Sequence, residues 1–179
     1  MKYQEAKKGL VIVYTGEGKG KTTASLGLVL RAVGYGKKVL IVQFGKTWFT
    51  GEIEGVKKLP GVKLVQGGLG FIGIFDDHAP FSEHKKAARS TYDMLYKEVT
   101  SGKWDLVVAD EIVGAIPGKV LTFTQIKKLI QDKPTQLDLC LTGHYGEEKL
   151  FKLADLVTEM VQIKHPYQQG ILAKEGIDY

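Results

Sequence analysis

The chain has 179 residues, with 25 lysines and arginines against 20 aspartates and glutamates and a formal net charge of +5 at neutral pH. This length suits one domain with a well-buried core and is short for two. The basic residues are dispersed, with no long basic block interleaved with aromatic side chains, so a small polyanion such as ATP explains the charge at least as well as a nucleic acid does. We therefore expect a single domain over 1–179, a polar N-terminal arm at 1–8, and no nucleic-acid partner.

No membrane segment and no disulfide is expected. The apolar stretches are too short to span a bilayer, and the polar start of the chain does not resemble a signal peptide. The lone cysteine, Cys140, lies in an apolar run and is interpreted as a buried core side chain, which fits a reducing compartment. These features predict a cytoplasmic protein without a membrane partner.

Strand-like apolar runs alternate with helical patterns along the chain, which is typical of a parallel sheet covered by helices on both faces. The sequence therefore predicts an α/β fold with a mostly parallel, six-stranded sheet. The predicted strands are 10–15, 38–44, 62–66, 104–109, 136–142 and 156–162, and the clearest helices are 21–33, 82–101, 124–131 and 147–153. The glycine-rich, aromatic segments 45–61 and 67–80 are predicted to be long loops that rim the site.

A glycine-rich turn between the first strand and the first helix predicts a phosphate loop. Its glycines let backbone N–H groups converge on a polyphosphate, and the helix N-terminus adds a partial positive charge. Lys21 would supply a point charge and the Thr22 hydroxyl a ligand for Mg²⁺. The predicted phosphate-loop residues are Gly16, Glu17, Gly18, Lys19, Gly20, Lys21, Thr22 and Thr23.

The spacing inside this loop is unusual. The common pattern G-x-x-x-x-G-K-[ST] would place its first glycine at position 15, but Thr15 stands there and the glycine is Gly16. The loop is therefore one residue tighter than usual, which argues against a conventional NTPase.

Two carboxylates, Asp110 and Glu111, follow the apolar strand at 104–109. In a P-loop fold the carboxyl end of such a strand faces the phosphate loop, so these residues are predicted to organise Mg²⁺ (or Mn²⁺) together with Thr22. Arg31, on the helix after the loop, either reaches phosphate or is an ordinary surface arginine.

The histidines leave alternatives open. None of them has metal-ligand spacing with another histidine or with Cys140. His165, after the last strand, either faces the crevice or is a polar loop residue. Thr142, Gly143 and His144 form either a ligand-side turn or a simple turn with a solvated histidine.

Several segments, taken together and in order, resemble the P-loop ATP:corrinoid adenosyltransferases, also called cob(I)alamin adenosyltransferases. The resemblance runs from about Gly9 to the last residue, and the short phosphate loop is part of its pattern. The segments that carry it are Thr15 to Thr23, Val42 to Phe44, Gly51-Glu52, Gly70-Phe71, Asp110-Glu111, Leu141 to Gly143, Ala154 to Met160, Lys164 to Tyr167 and Gly176 to Tyr179.

The resemblance implies a RecA-like P-loop fold and transfer of the 5′-deoxyadenosyl group of ATP to the cobalt of a reduced corrinoid, such as cobalamin or a precursor, with release of tripolyphosphate. It implies Lys21 and Glu111 as catalytic residues, ATP contacts from the phosphate loop, Arg31 and His165, and a corrinoid contact from Phe71. It also implies a reductant, such as a flavoprotein, and a homodimer.

The chain departs from the family pattern at two positions. Where the family commonly has tryptophan after Gly-Phe-Thr, this chain has Gly73, and the usual Leu-Thr-Gly-Arg ends here in His144, a titratable ring. Two other interpretations therefore remain: a RecA-like ATPase that responds to nucleic acid, and a diverged ATP- and corrinoid-binding protein with little turnover.

Overall fold

The computed structural model describes residues 8–70 and 79–179. Its strands are β1 (Val11–Thr15), β2 (Val39–Phe44), β3 (Val62–Gly67), β4 (Leu106–Asp110), β5 (Asp138–Thr142) and β6 (Leu156–Glu159). Its helices are α1 (Lys21–Gly34), α2 (Gly51–Lys57), α3 (Phe81–Val99), α4 (Phe123–Asp132) and α5 (Glu148–Phe151), with short 3₁₀ turns at Val113–Ala115 and Pro166–Gln169. The strands form one sheet in the order β3-β2-β4-β5-β1-β6, and every described strand pair is parallel.

Alternate side chains of the central strands pack on opposite faces of the sheet. On β1, Val11 and Val13 belong to one core cluster and Ile12 to the other. The first cluster includes Leu95 of α3 and Ile126 of α4, and the second includes residues of α1 and α2. Because successive strand residues point to opposite faces, a parallel sheet between two helical layers needs apolar side chains at nearly every position.

The lone cysteine has the structural role expected for it. Cys140 lies on β5 in the second core cluster and is fully buried. Burial raises the pKa of its thiol to about 12, so the thiolate is strongly disfavoured.

The predicted α/β fold is confirmed, and the predicted bounds of the elements lie within two residues of those observed, with one exception: the sixth strand ends at Glu159 and not at 162. One prediction was wrong. The segment 45–61 is not a continuous loop, because Gly51–Lys57 forms α2. Two glycines and a single buried apolar residue, Val56, give this short helix little sequence signal.

Within the described part of the chain, no helix has both the length and the apolar character that crossing a bilayer requires. Most of the polar arm at 1–8 lies outside the described residues. Lys8 is described, and its ammonium lies 3.4 Å from a carboxylate oxygen of Asp155.

Candidate functional site

The parallel strands all end at one edge of the sheet, where ligands bind in open α/β folds. β1 leads there into the phosphate loop (residues 16–23), which leads into α1. A pocket of about 700 Å³ opens over the loop. Its lining includes the loop from Glu17 to Thr23, His165 and the last four residues of the chain.

The phosphate loop is held against the segment that follows β6. Gly18 donates its N–H to the carbonyl of Met160 at 2.7 Å. Gly16 has a φ of 98°, and a Cβ at this position would lie 2.4 Å from the same carbonyl oxygen. Only glycine fits such an approach between two backbones. The first glycine of the tight loop is therefore required by packing as well as by the turn.

Lys21 is folded back onto its own loop. Its ammonium donates to the carbonyl oxygens of Gly16 (2.7 Å) and Gly18 (2.8 Å), and the side chain is almost fully buried. Burial lowers the pKa of Lys21, while the carboxylates of Glu111 and Asp110 oppose that shift. An ammonium held by carbonyl dipoles inside a pocket is well placed to pair with an entering anion.

Asp110, the last residue of β4, is completely buried, and both of its carboxylate oxygens accept hydrogen bonds. Oδ1 accepts from the hydroxyls of Thr22 (2.9 Å) and Thr142 (2.7 Å). Oδ2 accepts from the amide of Gln43 and from the ammonium of Lys46, each at 3.2 Å. A carboxylate surrounded by these donors joins the phosphate-loop helix to three strand ends.

Glu111 is placed differently from its neighbour. Its backbone adopts the left-handed region, with a φ of 63°, and its N–H donates to the Thr142 hydroxyl at 2.9 Å. Burial, and then the charge of Asp110, raise the pKa of its carboxyl. Strained backbone and a shifted pKa often mark functional residues. Within the described residues, no side-chain donor bonds its carboxylate, which lines the pocket over the phosphate loop.

A second, more apolar pocket of about 500 Å³ lies beside the first. It is formed by Phe44, the glycines after β3, Ala88 and Val120, among others. Glu111 and His144 line both pockets. Burial, and then the charge of Lys21, lower the pKa of His144, which favours the neutral form of its ring. The two pockets therefore meet at a carboxyl group and an imidazole.

The described ends of the two predicted loops do rim these pockets. Gly68, Leu69 and Gly70 line the apolar pocket, and Lys46 and Glu52 line the phosphate-loop pocket. Trp48 and Phe49 are exposed.

The remaining predicted residues have three different outcomes. His165 does line the phosphate-loop pocket, and its Nδ1 accepts the N–H of Tyr167 at 3.2 Å. Arg31 lies on the last turn of α1, exposed and outside the pocket lining, so the structure does not bring it to the site. Phe71 and Gly73 lie outside the described residues.

The side-chain oxygens of Thr22, Asp110 and Glu111 differ in how readily they could bind Mg²⁺. Mg²⁺ binds few protein oxygens and keeps several waters, and no group of three or more histidine, cysteine or acidic side chains among the described residues forms a metal cage. Thr22 and the carboxylate of Glu111, which lines the pocket, fit such a site. Asp110 would have to release a donor first, because both its oxygens are already in use.

A cluster of side chains around Asp110 was not predicted to have a role. Lys46 lies 3.3 Å from Glu52 as well as 3.2 Å from Asp110, and Gln43 also donates to Glu52 at 3.1 Å. Gln43 and Glu52 stand in segments that carry the family resemblance, but Lys46 lies between those segments. A lysine in a loop gives no sign of its partners until the fold brings them together.

The C-terminal residues also close on the phosphate loop. Asp178 forms an ion pair with Lys19, and the backbone of Tyr179 lies 3.9 Å from a Cβ built at Gly51. Asp178 is fixed in turn by the N–H of Lys174, which donates to its carboxylate at 2.8 Å. The tail thus places a carboxylate beside the phosphate-binding loop.

The sheet order, the phosphate loop after β1 and the acidic end of β4 define a P-loop α/β protein. Residues 7–179 match the family model described as ATP:corrinoid adenosyltransferase BtuR/CobO/CobP. The chain therefore belongs to the ATP:corrinoid adenosyltransferase family and is an enzyme of the adenosyltransferase class.

Three relatives show how widely the similarity extends. The corrinoid adenosyltransferase of Escherichia coli (strain K12) is 34% identical over 174 residues, which cover 97% of this chain and 87% of the relative. The corrinoid adenosyltransferase of Sinorhizobium sp is 35% identical over 178 residues, covering 97% and 81%. Corrinoid adenosyltransferase CobA of Salmonella typhimurium (strain LT2) is 31% identical over 176 residues, covering 98% and 88%.

Proposed function

We propose that this protein transfers the 5′-deoxyadenosyl group of ATP to the cobalt of a reduced corrinoid and releases tripolyphosphate. The observation that carries the proposal is the junction of two unlike pockets at Glu111 and His144. One pocket is built on a phosphate loop and suits a nucleotide. The other is mostly apolar and suits part of a large ring system.

ATP would bind in the pocket over the phosphate loop. The loop N–H groups and the N-terminus of α1 favour an anion there, and Lys21 can exchange carbonyl partners for phosphate oxygens. His165, Lys19 and Thr23 line the same space. This placement sets the polyphosphate on the loop and directs the ribose toward the junction with the apolar pocket.

The corrinoid would enter the apolar pocket with one face turned toward Glu111 and His144. In the reaction the electron pair of Co(I) forms a bond to ribose C5′, and the C5′–O bond breaks. The released pair stays on the tripolyphosphate, so no proton has to be removed from the nucleophile. The protein then has to stabilise charge that develops on the leaving group.

Fixed donors at the phosphate loop would provide that stabilisation. Lys21 offers an ammonium, and the Thr22 hydroxyl oxygen could ligate Mg²⁺ while the hydroxyl still donates its proton to Asp110. Bound Mg²⁺ would neutralise part of the leaving group's charge. Glu111 and Thr22 would hold it, with Asp110 fixing the position of Thr22.

We further propose that the protein acts in the cytoplasm as a homodimer. A reductant, such as a flavoprotein, would reduce the corrinoid cobalt to Co(I). Exposed apolar side chains after β6, namely Val161, Ile163 and Leu172, offer surface for subunit contact. Light scattering coupled to size exclusion would show the subunit number.

The direct test is to incubate the protein with ATP, Mg²⁺ and chemically reduced cobalamin. A light-sensitive cobalt–carbon chromophore that forms only with all components supports the transfer. ATP hydrolysis without that chromophore would favour the ATPase interpretation, and binding of both ligands without turnover would favour a diverged binding protein.

A further inference from the structure

Lys46 lies in the phosphate-loop pocket, yet its ammonium is held by two carboxylates of the protein. It is 3.2 Å from Oδ2 of Asp110 and 3.3 Å from Oε1 of Glu52, and only 13% of its side chain is exposed. Burial alone would lower the pKa of Lys46, but the two carboxylates outweigh burial and raise it. Lys46 is therefore a permanent cation beside the phosphate loop.

The donors around Asp110 differ in how easily they can leave. Gln43 and Thr142 are completely buried on strands β2 and β5, so they stay with the sheet. Lys46 lies in the loop after β2, and its long, flexible side chain lines the pocket. Among the donors to Oδ2 of Asp110, Lys46 is thus the one that can move.

Glu52 is a second carboxylate that binds the ammonium of Lys46, in addition to Asp110. It accepts from Gln43 at 3.1 Å and from Lys46 at 3.3 Å. Burial alone would raise the pKa of Glu52, but hydrogen bonds to its carboxylate, first the one from Gln43, and the charge of Lys46 lower it. Two carboxylates therefore hold one ammonium close to where a divalent cation near Asp110 would also be stabilised.

We propose that Lys46 is a polyphosphate-binding residue that leaves Asp110 for the phosphates when a divalent cation arrives. In the free protein its ammonium would balance the negative charge of Asp110 and Glu52. When a cation held by Glu111 and Thr22 supplies positive charge beside Asp110, Lys46 would move to the phosphates, so the cation and the polyphosphate would each strengthen the binding of the other. This inference rests on the proposed function, because it concerns the same pocket.

Variants of Lys46 and Glu52 test this exchange. Titration calorimetry measures their affinities for inorganic tripolyphosphate and for Mn²⁺. Lys46→Met should weaken tripolyphosphate binding roughly 10- to 100-fold, since a charged hydrogen bond is lost. The same variant should bind Mn²⁺ alone about fivefold more tightly, because the competing ammonium is gone. A structural role alone would not move the two affinities in opposite directions.

Glu52→Gln is a second variant, and it should change tripolyphosphate affinity in the opposite direction to Lys46→Met. Removing one competing carboxylate should tighten tripolyphosphate binding by about two- to fivefold. The matched controls lie on the same helix, where Lys57 and Glu54 form an exposed ion pair. Lys57→Met and Glu54→Gln should change neither affinity.

The outcomes separate this inference from the proposed function. If Lys21→Met loses tripolyphosphate and Lys46→Met does not, the role of Lys46 is overturned while the phosphate loop stands. If Lys21→Met also binds normally, the proposed site itself is wrong. Should Lys46→Met fail to fold, Glu52→Gln decides: tighter binding supports the exchange, and unchanged or weaker binding contradicts it.

Discussion

Thr22, on the first turn of α1, donates a hydrogen bond of 2.9 Å to Oδ1 of Asp110 at the end of β4. The bond joins residues 88 positions apart in the chain and ties the phosphate loop to the acidic end of the sheet. Because the Thr142 hydroxyl donates to the same oxygen, the loop, β4 and β5 share one buried carboxylate. Asp110 thus positions the site, and Glu111 faces the pockets.

The phosphate-loop assignment can be tested at Lys21. We expect Lys21→Ala to weaken ATP binding roughly 10- to 100-fold, because the phosphates lose both a charge and a hydrogen bond. Isothermal titration calorimetry measures this directly. Lys57→Ala, an exposed control on α2, should bind ATP normally. An unchanged ATP affinity for Lys21→Ala would show that this loop does not bind the phosphates of ATP.

Two glycine variants test the packing of the loop against the segment after β6. Gly16→Ala should destabilise the protein by roughly 1–3 kcal/mol, because a Cβ there would lie 2.4 Å from the Met160 carbonyl at a positive φ. Gly27→Ala on α1 meets no atom within 4 Å and should stabilise it by about 0.5–1 kcal/mol. Denaturant unfolding curves compare the two. Equal stabilities would contradict the close approach.

The buried carboxyl of Glu111 gives a stability effect that depends on pH. Burial, and then Asp110, raise its pKa in the folded protein above the ordinary value near 4.5. The folded state therefore binds the proton more tightly, and the free energy of unfolding falls as pH rises through this range. Above the folded pKa the ionised carboxylate destabilises the protein at a constant level.

Glu111→Gln removes that charge. The variant should be more stable than the wild type at neutral pH, and the difference should shrink as pH falls toward the ordinary pKa of glutamate. Thermal unfolding across pH measures the trend, with exposed Glu175→Gln as the control. A variant less stable than the wild type at neutral pH would show that Glu111 is held by favourable contacts instead. Whichever stability is found, the rate of adenosyl transfer by Glu111→Gln should be lower than that of the wild type.

The tail contact can be tested at Asp178. Its carboxylate pairs with Lys19 and lines the phosphate-loop pocket, so it would compete with bound phosphates for that ammonium. Asp178→Asn keeps an oxygen that can accept from the N–H of Lys174 but removes the charge, so ATP should bind up to about fivefold more tightly at low salt. High salt should reduce the difference. Weaker binding would mean that the ion pair holds Lys19 in place for the nucleotide.

Much of the fold was predictable because it depends on local patterns. Strands buried on both faces read as continuous apolar runs, and the glycines and Lys21 mark the phosphate loop. The helix α2 gave little signal because it contains Gly51 and Gly55 and buries only Val56.

The placement of Thr22 and Glu111 in the pocket lining could be predicted from the motifs that contain them. The contacts of Lys46, Gln43 and Glu52 could not, because they depend on distances between a loop, a strand and a helix that only the fold sets. The contrast between Asp110 and Glu111 was hidden for the same reason: adjacent carboxylates look equivalent until one is seen to be saturated with donors.

In the reaction we propose, ribose C5′ and not a phosphorus atom is the electrophile. The phosphate product formed with ATP, Mg²⁺ and pre-reduced Co(I) corrinoid, separated by ion-exchange chromatography, tests this directly. We expect intact tripolyphosphate in equal amount to the adenosylated corrinoid, without ADP. ADP and orthophosphate as the main products would contradict it.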